Sequence, residues 1–145
     1  PPNDLVAEIG VIGSIFVMPR ELARTLLPEL LARLNPEHFY DEGHGKLFGV
    51  VRKLVADGKP VDSTLFFAAV KAAGIYEEVG GSAYLSKIIN AVPYAANAYY
   101  YADIVIDKAY ARRVIIESTL ILRAAARSAW PASRSPRASR ARPRT

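Results

Sequence analysis

Cysteine is absent from the 145 residues, which removes any disulfide framework and any thiolate metal site, as suits a reducing compartment. Long apolar runs are absent as well. The richest stretches, residues 114–116 and 120–122, are interrupted by polar or charged positions well short of the roughly 18 residues needed to cross a bilayer, so no membrane partner is expected. The opening Pro1-Pro2-Asn3-Asp4 lacks the basic start and apolar run of a secretory signal, and a cytoplasmic location is expected. Acidic residues are missing from one region only. Residues 123–145 carry 7 Arg and no Asp or Glu, whereas residues 1–122 carry 12 Lys and Arg against all 14 acids. The formal charge of +5 therefore belongs to the tail, and it does not mark the folded part as a nucleic-acid binder.

What is present is apolar residues, 51% of the chain, enough for a genuine core in one domain with an appendage. Their spacing is helical nearly throughout, and no segment alternates strictly between turn signals, so the expected fold class is all-α. Asn3 or Asp4 can cap a first helix with Leu5, Ile9, Ile12 and Phe16 as its stripe, where Gly10 and Gly13 let another helix approach closely. Pro19 suits the first turn of a second helix bearing Leu22, Leu26 and Leu30, which Pro28 should kink or divide. A third helix is expected over about residues 45–56, with Leu47, Val50, Val51, Leu54 and Val55 inward and Gly58 past its end. Asp62 or Ser63 can cap a fourth, carrying Leu65, Phe66, Ala69 and Val70 and ending at Gly74. Ser82 can cap a fifth, with Tyr84, Leu85, Ile88 and Ile89, before Pro93.

The last helix differs from the other five. From about residue 95 to 126 there is neither Gly nor Pro, and at 1.5 Å per residue such a helix is roughly 48 Å long, against a diameter of roughly 33 Å for a domain of about 100 residues. Its C-terminal half should project from the globule. That half carries Val114, Ile115, Ile116, Leu120, Ile121 and Leu122 around much of its circumference, so it needs a partner helix. Beyond it, residues 123–145 are 7 Arg, 7 Ala, 4 Ser, 3 Pro, one Trp and one Thr, too poor in apolar area to offset the entropy of ordering. Helix is expected to fray through residues 124–126, Pro131, Pro136 and Pro143 to stop it, and residues from about 128 onward to be disordered.

Signals for chemistry are weak. The Gly-Lys pair Gly45-Lys46 would need Gly at 40 and Ser or Thr at 47 to form a phosphate-binding loop, and those positions hold Tyr40 and Leu47; Gly58-Lys59 fails likewise, with Lys53 and Pro60 at the required positions. His38, Asp41, Glu42 and His44 could in type supply zinc ligands, but Gly43 and Gly45 break the register. The plainer reading has Asp41 capping the third helix, His44 packing or hydrogen-bonding at its start, and Phe39 and Tyr40 entering the core. Gly80-Gly81 before Ser82 could hold an anion, or simply turn the chain into the fifth helix. Tyr94, Tyr99, Tyr100, Tyr101 and Tyr110 read as core or interface contacts more readily than as a base-stacking platform. No nucleophile stands beside a recognisable base, so the chain is not expected to be an enzyme on its own.

Several strings occur in a telling order: PPND at the start, VIGSI (residues 11–15), HFY followed by a later His and LF (38–48), GKPVD (58–62), VGGSAYL (79–85), AVPYAAN (91–97), YYADIV and DKAYARRVI (100–115). In series they resemble the N-terminal domain of the bacterial replicative DNA helicase DnaB family, over about residues 1–122. Residues 18–35 are longer than is usual there, and residues 60–65 one residue shorter. The resemblance implies a helical globule followed by a long helical hairpin. It also implies self-association into the collar of a hexameric helicase and docking of a DnaG-type primase. ATP and magnesium would belong to a motor domain outside this sequence, and no cofactor is expected here. Residues 103–122 would be the first hairpin arm, with Tyr101, Val105, Arg112, Arg113, Ile115, Ile116, Leu120 and Leu122 as candidate subunit or partner contacts, Arg being frequent at interface hot spots. Where the family continues with a second arm, a linker and a RecA-like motor, this sequence turns to Arg, Ala, Ser and Pro, and a truncated remnant remains an alternative.

The competing reading is nonspecific nucleic-acid binding through the basic tail. Deleting residues 123–145 separates the two: retention on DNA at low salt should vanish under the second reading, while primase docking should be unaffected under the first.

Overall fold

A computed structural model describes the backbone of residues 1–139 and the side chains of residues 1–128. Among the described residues the secondary structure is entirely helical: α1 (Leu5–Phe16), α2 (Arg20–Arg33), a 3-10 turn (Pro36–His38), α3 (Glu42–Ala56), α4 (Ser63–Ala72), α5 (Gly81–Ile89) and α6 (Ala98–Ser139). Contacts divide the chain into two units, Pro1–Ala109 and Tyr110–Thr145. The first contains α1 to α5 and the opening of α6. The second is the remainder of α6 and the residues after it.

Helix starts follow the expected chemistry, because unpaired N–H groups of a first turn need an acceptor. Asp4 accepts from the Ala7 N–H at 2.9 Å, Asp41 from the His44 N–H at 3.0 Å and Asp62 from the Leu65 N–H at 2.8 Å. Ser82 is different: α5 begins one residue before it, and the preceding Gly80 takes φ 107°, a conformation open to glycine. Gly58 and Gly74 close α3 and α4 with φ of 71° and 75°. At the end of α2 the Arg52 guanidinium donates to the carbonyls of Leu31 and Leu34, satisfying acceptors that the helix leaves open.

Pro28 lies inside α2, so of the two expected effects it does not divide the helix. Two helix starts are corrected: α3 starts at Glu42 rather than near 45, and α6 at Ala98 rather than near 95. In addition, α6 is assigned to Ser139, past Pro131. Alanine and arginine are strong helix formers, and they supply most of this segment. The expectation of disorder for residues 140–145 lies outside the described residues.

The core of the first unit joins Val11, Ile12, Leu30, Leu34, Leu47, Phe48, Val51, Phe66, Val70, Leu85, Ile88, Ala102 and Val105. The buried face of α1 is turned from the one its spacing suggested: Ala7, Val11, Ile12 and Ile15 are buried, while Leu5 is exposed. Glycine sets this choice. A Cβ on Gly13 would stand 2.7 Å from the Ile88 carbonyl oxygen of α5, and one on Gly10 would stand 2.8 Å from the Tyr101 ring of α6. The two glycines thus let α1 lie against both neighbours at close range, as its composition anticipated. Phe39 is buried but Tyr40 is exposed, so only the first of that pair enters the core.

The same constraint distinguishes glycines that look alike in the sequence. Gly13→Ala should destabilise the domain by about 1–3 kcal/mol, since backbone must move to admit the methyl group. Gly49→Ala, whose Cβ would meet Pro36 Cγ at an ordinary 3.7 Å, should instead stabilise it by up to about 1 kcal/mol through helix propensity. Urea unfolding of both variants measures the difference.

Candidate assembly interface

Tyr110 to Ser128 contain no buried residue, although the segment includes six branched aliphatics. Val114 is 42% exposed, Ile115 53%, Ile116 59%, Leu120 57%, Ile121 67% and Leu122 70%. Scattered exposed aliphatics are unremarkable, but six within nine positions, spread around the helix, expose the amount of apolar surface that marks an association site. The helix that presents them is internally satisfied. Arg113 Nε donates to Glu117 Oε1 at 2.9 Å, one turn on, and the Thr119 hydroxyl donates back to the Ile115 carbonyl at 2.8 Å. The Glu117 carboxylate also raises the Arg113 pKa, first through that hydrogen bond and then by its charge. Such an exposed i,i+4 pair is screened by water and supports the helix only weakly.

The eight residues singled out in the sequence do not come together. Ile115, Ile116, Leu120 and Leu122 are exposed on the second unit, with Arg113 beside them and Arg112 half-buried. Val105 is 2% exposed and belongs to the core of the first unit. Tyr101 packs against that core with its ring over Gly10. These two are structural residues of the globule rather than free contacts, because the opening turns of α6 complete its core through Ala98, Ala102 and Val105. The same turns are tied to α2 by the Arg33–Asp103 ion pair, the Tyr99 hydroxyl donating to Glu29, and the Arg33 guanidinium 5.2 Å from the Tyr99 ring centroid.

One polar constellation escaped the sequence reading. Glu8 and His44 are each 1% exposed, and His44 Nδ1 stands 2.8 Å from Glu8 Oε1. An ionised carboxylate only accepts, so Nδ1–H is the donor, and the other ring nitrogen, Nε2, meets the Tyr84 hydroxyl at 2.6 Å. Glu8 also accepts the backbone N–H of Tyr40 at 2.6 Å and of Asp41 at 3.2 Å. Burial, then the carboxylates of Asp41 and Glu8, push the Tyr84 phenol above its ordinary pKa and keep its proton in place. The available signal was Glu8 itself, the one charged residue in α1. Its partner was legible at His44 as a hydrogen bond at the start of α3, but not across 36 residues. The former metal candidates are placed as follows: His44 faces Glu8 and Tyr84, Asp41 caps α3, Glu42 is its first residue, and His38 Nδ1 accepts the Asn35 N–H at 2.9 Å. Among the described residues no group of three or more His, Cys, Asp or Glu could hold a metal ion. No described helix is long and apolar enough to cross a membrane.

Residues 1–107 match the family of the DnaB-like helicase N terminal domain. The chain belongs to this family. It is 40% identical over 121 residues to the replicative DNA helicase DnaC of Bacillus subtilis, an alignment covering 83% of this chain and 26% of that protein. Against the replicative DNA helicase DnaB of Mycobacterium leprae, identity is 34% over 84% of this chain and 19% of the relative. The chain thus corresponds to about a quarter or less of the length of these curated relatives. The crystal structure of the N-terminal domain of DnaB helicase from Mycobacterium tuberculosis superposes with a TM-score of 0.79 at 34% identity, covering 89% of each chain. The all-helical fold with a long C-terminal helix, expected as the first hairpin arm, is therefore observed, while a second arm of the hairpin is not among the described residues.

Glu8→Ala should cost about 3 kcal/mol or more, because it strands a buried imidazole N–H and two backbone N–H groups without acceptors; chemical denaturation of the variant measures this. Tyr84→Phe should cost less and also flatten the alkaline limb of the stability curve. The phenol pKa is raised on folding, so its contribution is complete below about pH 10 and lost as pH rises through the folded value.

Proposed function

We propose that this chain acts in DNA replication as the non-motor domain of a replicative helicase, serving assembly of the helicase collar and docking of a DnaG-type primase. The carrying observation is the cluster of six exposed branched aliphatics within residues 114–122 of α6, beside a first unit that has a continuous apolar core of its own. Apolar complementarity holds subunits together in such assemblies, and a polar rim sets register and partner choice. Ile115, Ile116, Leu120 and Leu122 form the subunit contact on this reading, with Arg112 and Arg113 as rim anchors. Support for the replicative setting comes from the family and from relatives that are replicative DNA helicases.

Chemistry plays no part in the role proposed for this chain. A phosphate-binding loop of the GxxxxGK[ST] form is missing from the sequence, and ATP with magnesium would be handled by a motor domain. The Glu8–His44–Tyr84 chain serves structure: it is buried, self-satisfied and ends on a phenol. The domain works in the cytoplasm, where chromosome replication takes place.

Light scattering over a concentration series is the direct test. The full chain should form a dimer or larger assembly, and Ile115→Asp with Leu122→Asp should weaken self-association at least about tenfold, since each buries an unpaired charge. Helical circular dichroism should be unchanged, because both side chains are exposed in the single chain. A strictly monomeric wild type at high concentration would sink the assembly reading. A primase pull-down unaffected by loss of the first unit would sink the docking one.

A further inference from the structure

The outer face of α1 does not suit a helix left in water. Leu5, Val6, Ile9 and Phe16 are the residues of α1 that are not buried, and all four are apolar. The single charge of the helix, Glu8, is turned inward. A surface helix ordinarily sets polar or charged side chains on the face opposite its core stripe, yet here Val6 is 79% exposed.

Beside that face lies an open cleft of about 580 Å³, lined by Val6 and Ile9 of α1, Ala91 and Val92 beyond α5, and Tyr101 of α6. Lys87 is the one charged residue in its lining. Among the described residues Lys87 has no acid paired with it, and its ammonium stands 5.8 Å from the Tyr84 ring centroid. A cleft of this kind suits a helix that offers aliphatic side chains around one carboxylate.

Residues 114–122 have that composition, with Glu117 as their one charged residue. Val114, Glu117 and Ile121 stand at i, i+3 and i+7, which places them within about 60° of arc on one helix face. All three are exposed. A subunit contact through Ile115, Ile116, Leu120 and Leu122 leaves Val114 and Ile121 uncovered. Glu117 Oε1 accepts from Arg113, and a carboxylate has capacity for a further donor. The turns that follow are excluded as occupants, because Arg123 and Arg127 would set like charge against Lys87.

Resting on the assembly reading above, we propose that the Val114–Glu117–Ile121 face of α6 in one copy docks in the Val6–Ile9–Tyr101 cleft of a second copy, with Glu117 accepting from the Lys87 ammonium. Val114 and Ile121 supply the apolar burial, and the charge pair sets register and orientation. The contact joins two unlike surfaces and is heterologous.

Sedimentation equilibrium of the full chain over a concentration series reads this contact. Val6→Asp should weaken self-association about tenfold or more by putting a charge into the apolar contact, with helical circular dichroism unchanged because the side chain is exposed. Lys87→Glu and Glu117→Lys should each weaken it about threefold or more, and the two combined in one chain should restore it to within about twofold of wild type. Loss of the Arg113 pair is common to Glu117→Lys and the combined variant, so the restoration reports the pairing across copies. Failure of the combined variant to recover would overturn the Lys87–Glu117 pairing that fixes the docking. Unchanged self-association in Val6→Asp and Lys87→Glu, with Ile115→Asp and Leu122→Asp still weakening it, would overturn the cleft contact and leave the assembly reading standing. A wild type that is monomeric at every concentration would remove both.

Discussion

A carboxylate cannot be taken out of water without partners for both oxygens, and Glu8 meets this condition by drawing in three other parts of the chain. The backbone at Tyr40 and Asp41, the ring of His44 and, through that ring, the hydroxyl of Tyr84 are all held with reference to one side chain on α1. Asp41 in turn caps α3, so the polar chain sets where that helix begins. Apolar contacts surround it and supply most of the stability, but they are tolerant of small shifts, whereas a buried ionic hydrogen-bond network is not.

Close helix packing follows from the same end of the molecule. Gly13 lets α1 reach the last turn of α5 and Gly10 lets it reach Tyr101, placing α1 between the elements that Tyr84 and Val105 anchor. The opening turns of α6 are consequently committed to the globule. Its later turns are not, and their side chains divide between aliphatic residues at 114–122 and arginines from 123 onward. One continuous helix therefore serves two ends, its opening turns completing a core and residues 114–122 offering an apolar surface suited to another helix.

The family resemblance and the helical class were both readable in the sequence, the first from an ordered series of short strings and the second from apolar periodicity. The individual candidate contacts were less so. Val105 and Ile115 are both β-branched residues on one helix, yet one is 2% exposed and the other 53%. Distance along the helix cannot separate them, because the point where the helix leaves the core depends on what packs against it. Leu5 and Ile12 show the same limit within α1: both fit the predicted stripe, and only Ile12 is buried.

By itself the sequence determined what local chemistry controls: the aspartate caps, the glycine stops, the helical spacing, and a charge distribution that puts every arginine after 122 beyond the reach of a neighbouring acid in sequence. Tertiary structure alone decided which face of each helix turned inward, that Glu8 would be buried against His44, and how much of α6 belongs to the core. Caps and periodicity act over three or four residues, within reach of a linear reading. Burial and the pairing of a carboxylate with an imidazole 36 positions away depend on how all the helices share one interior.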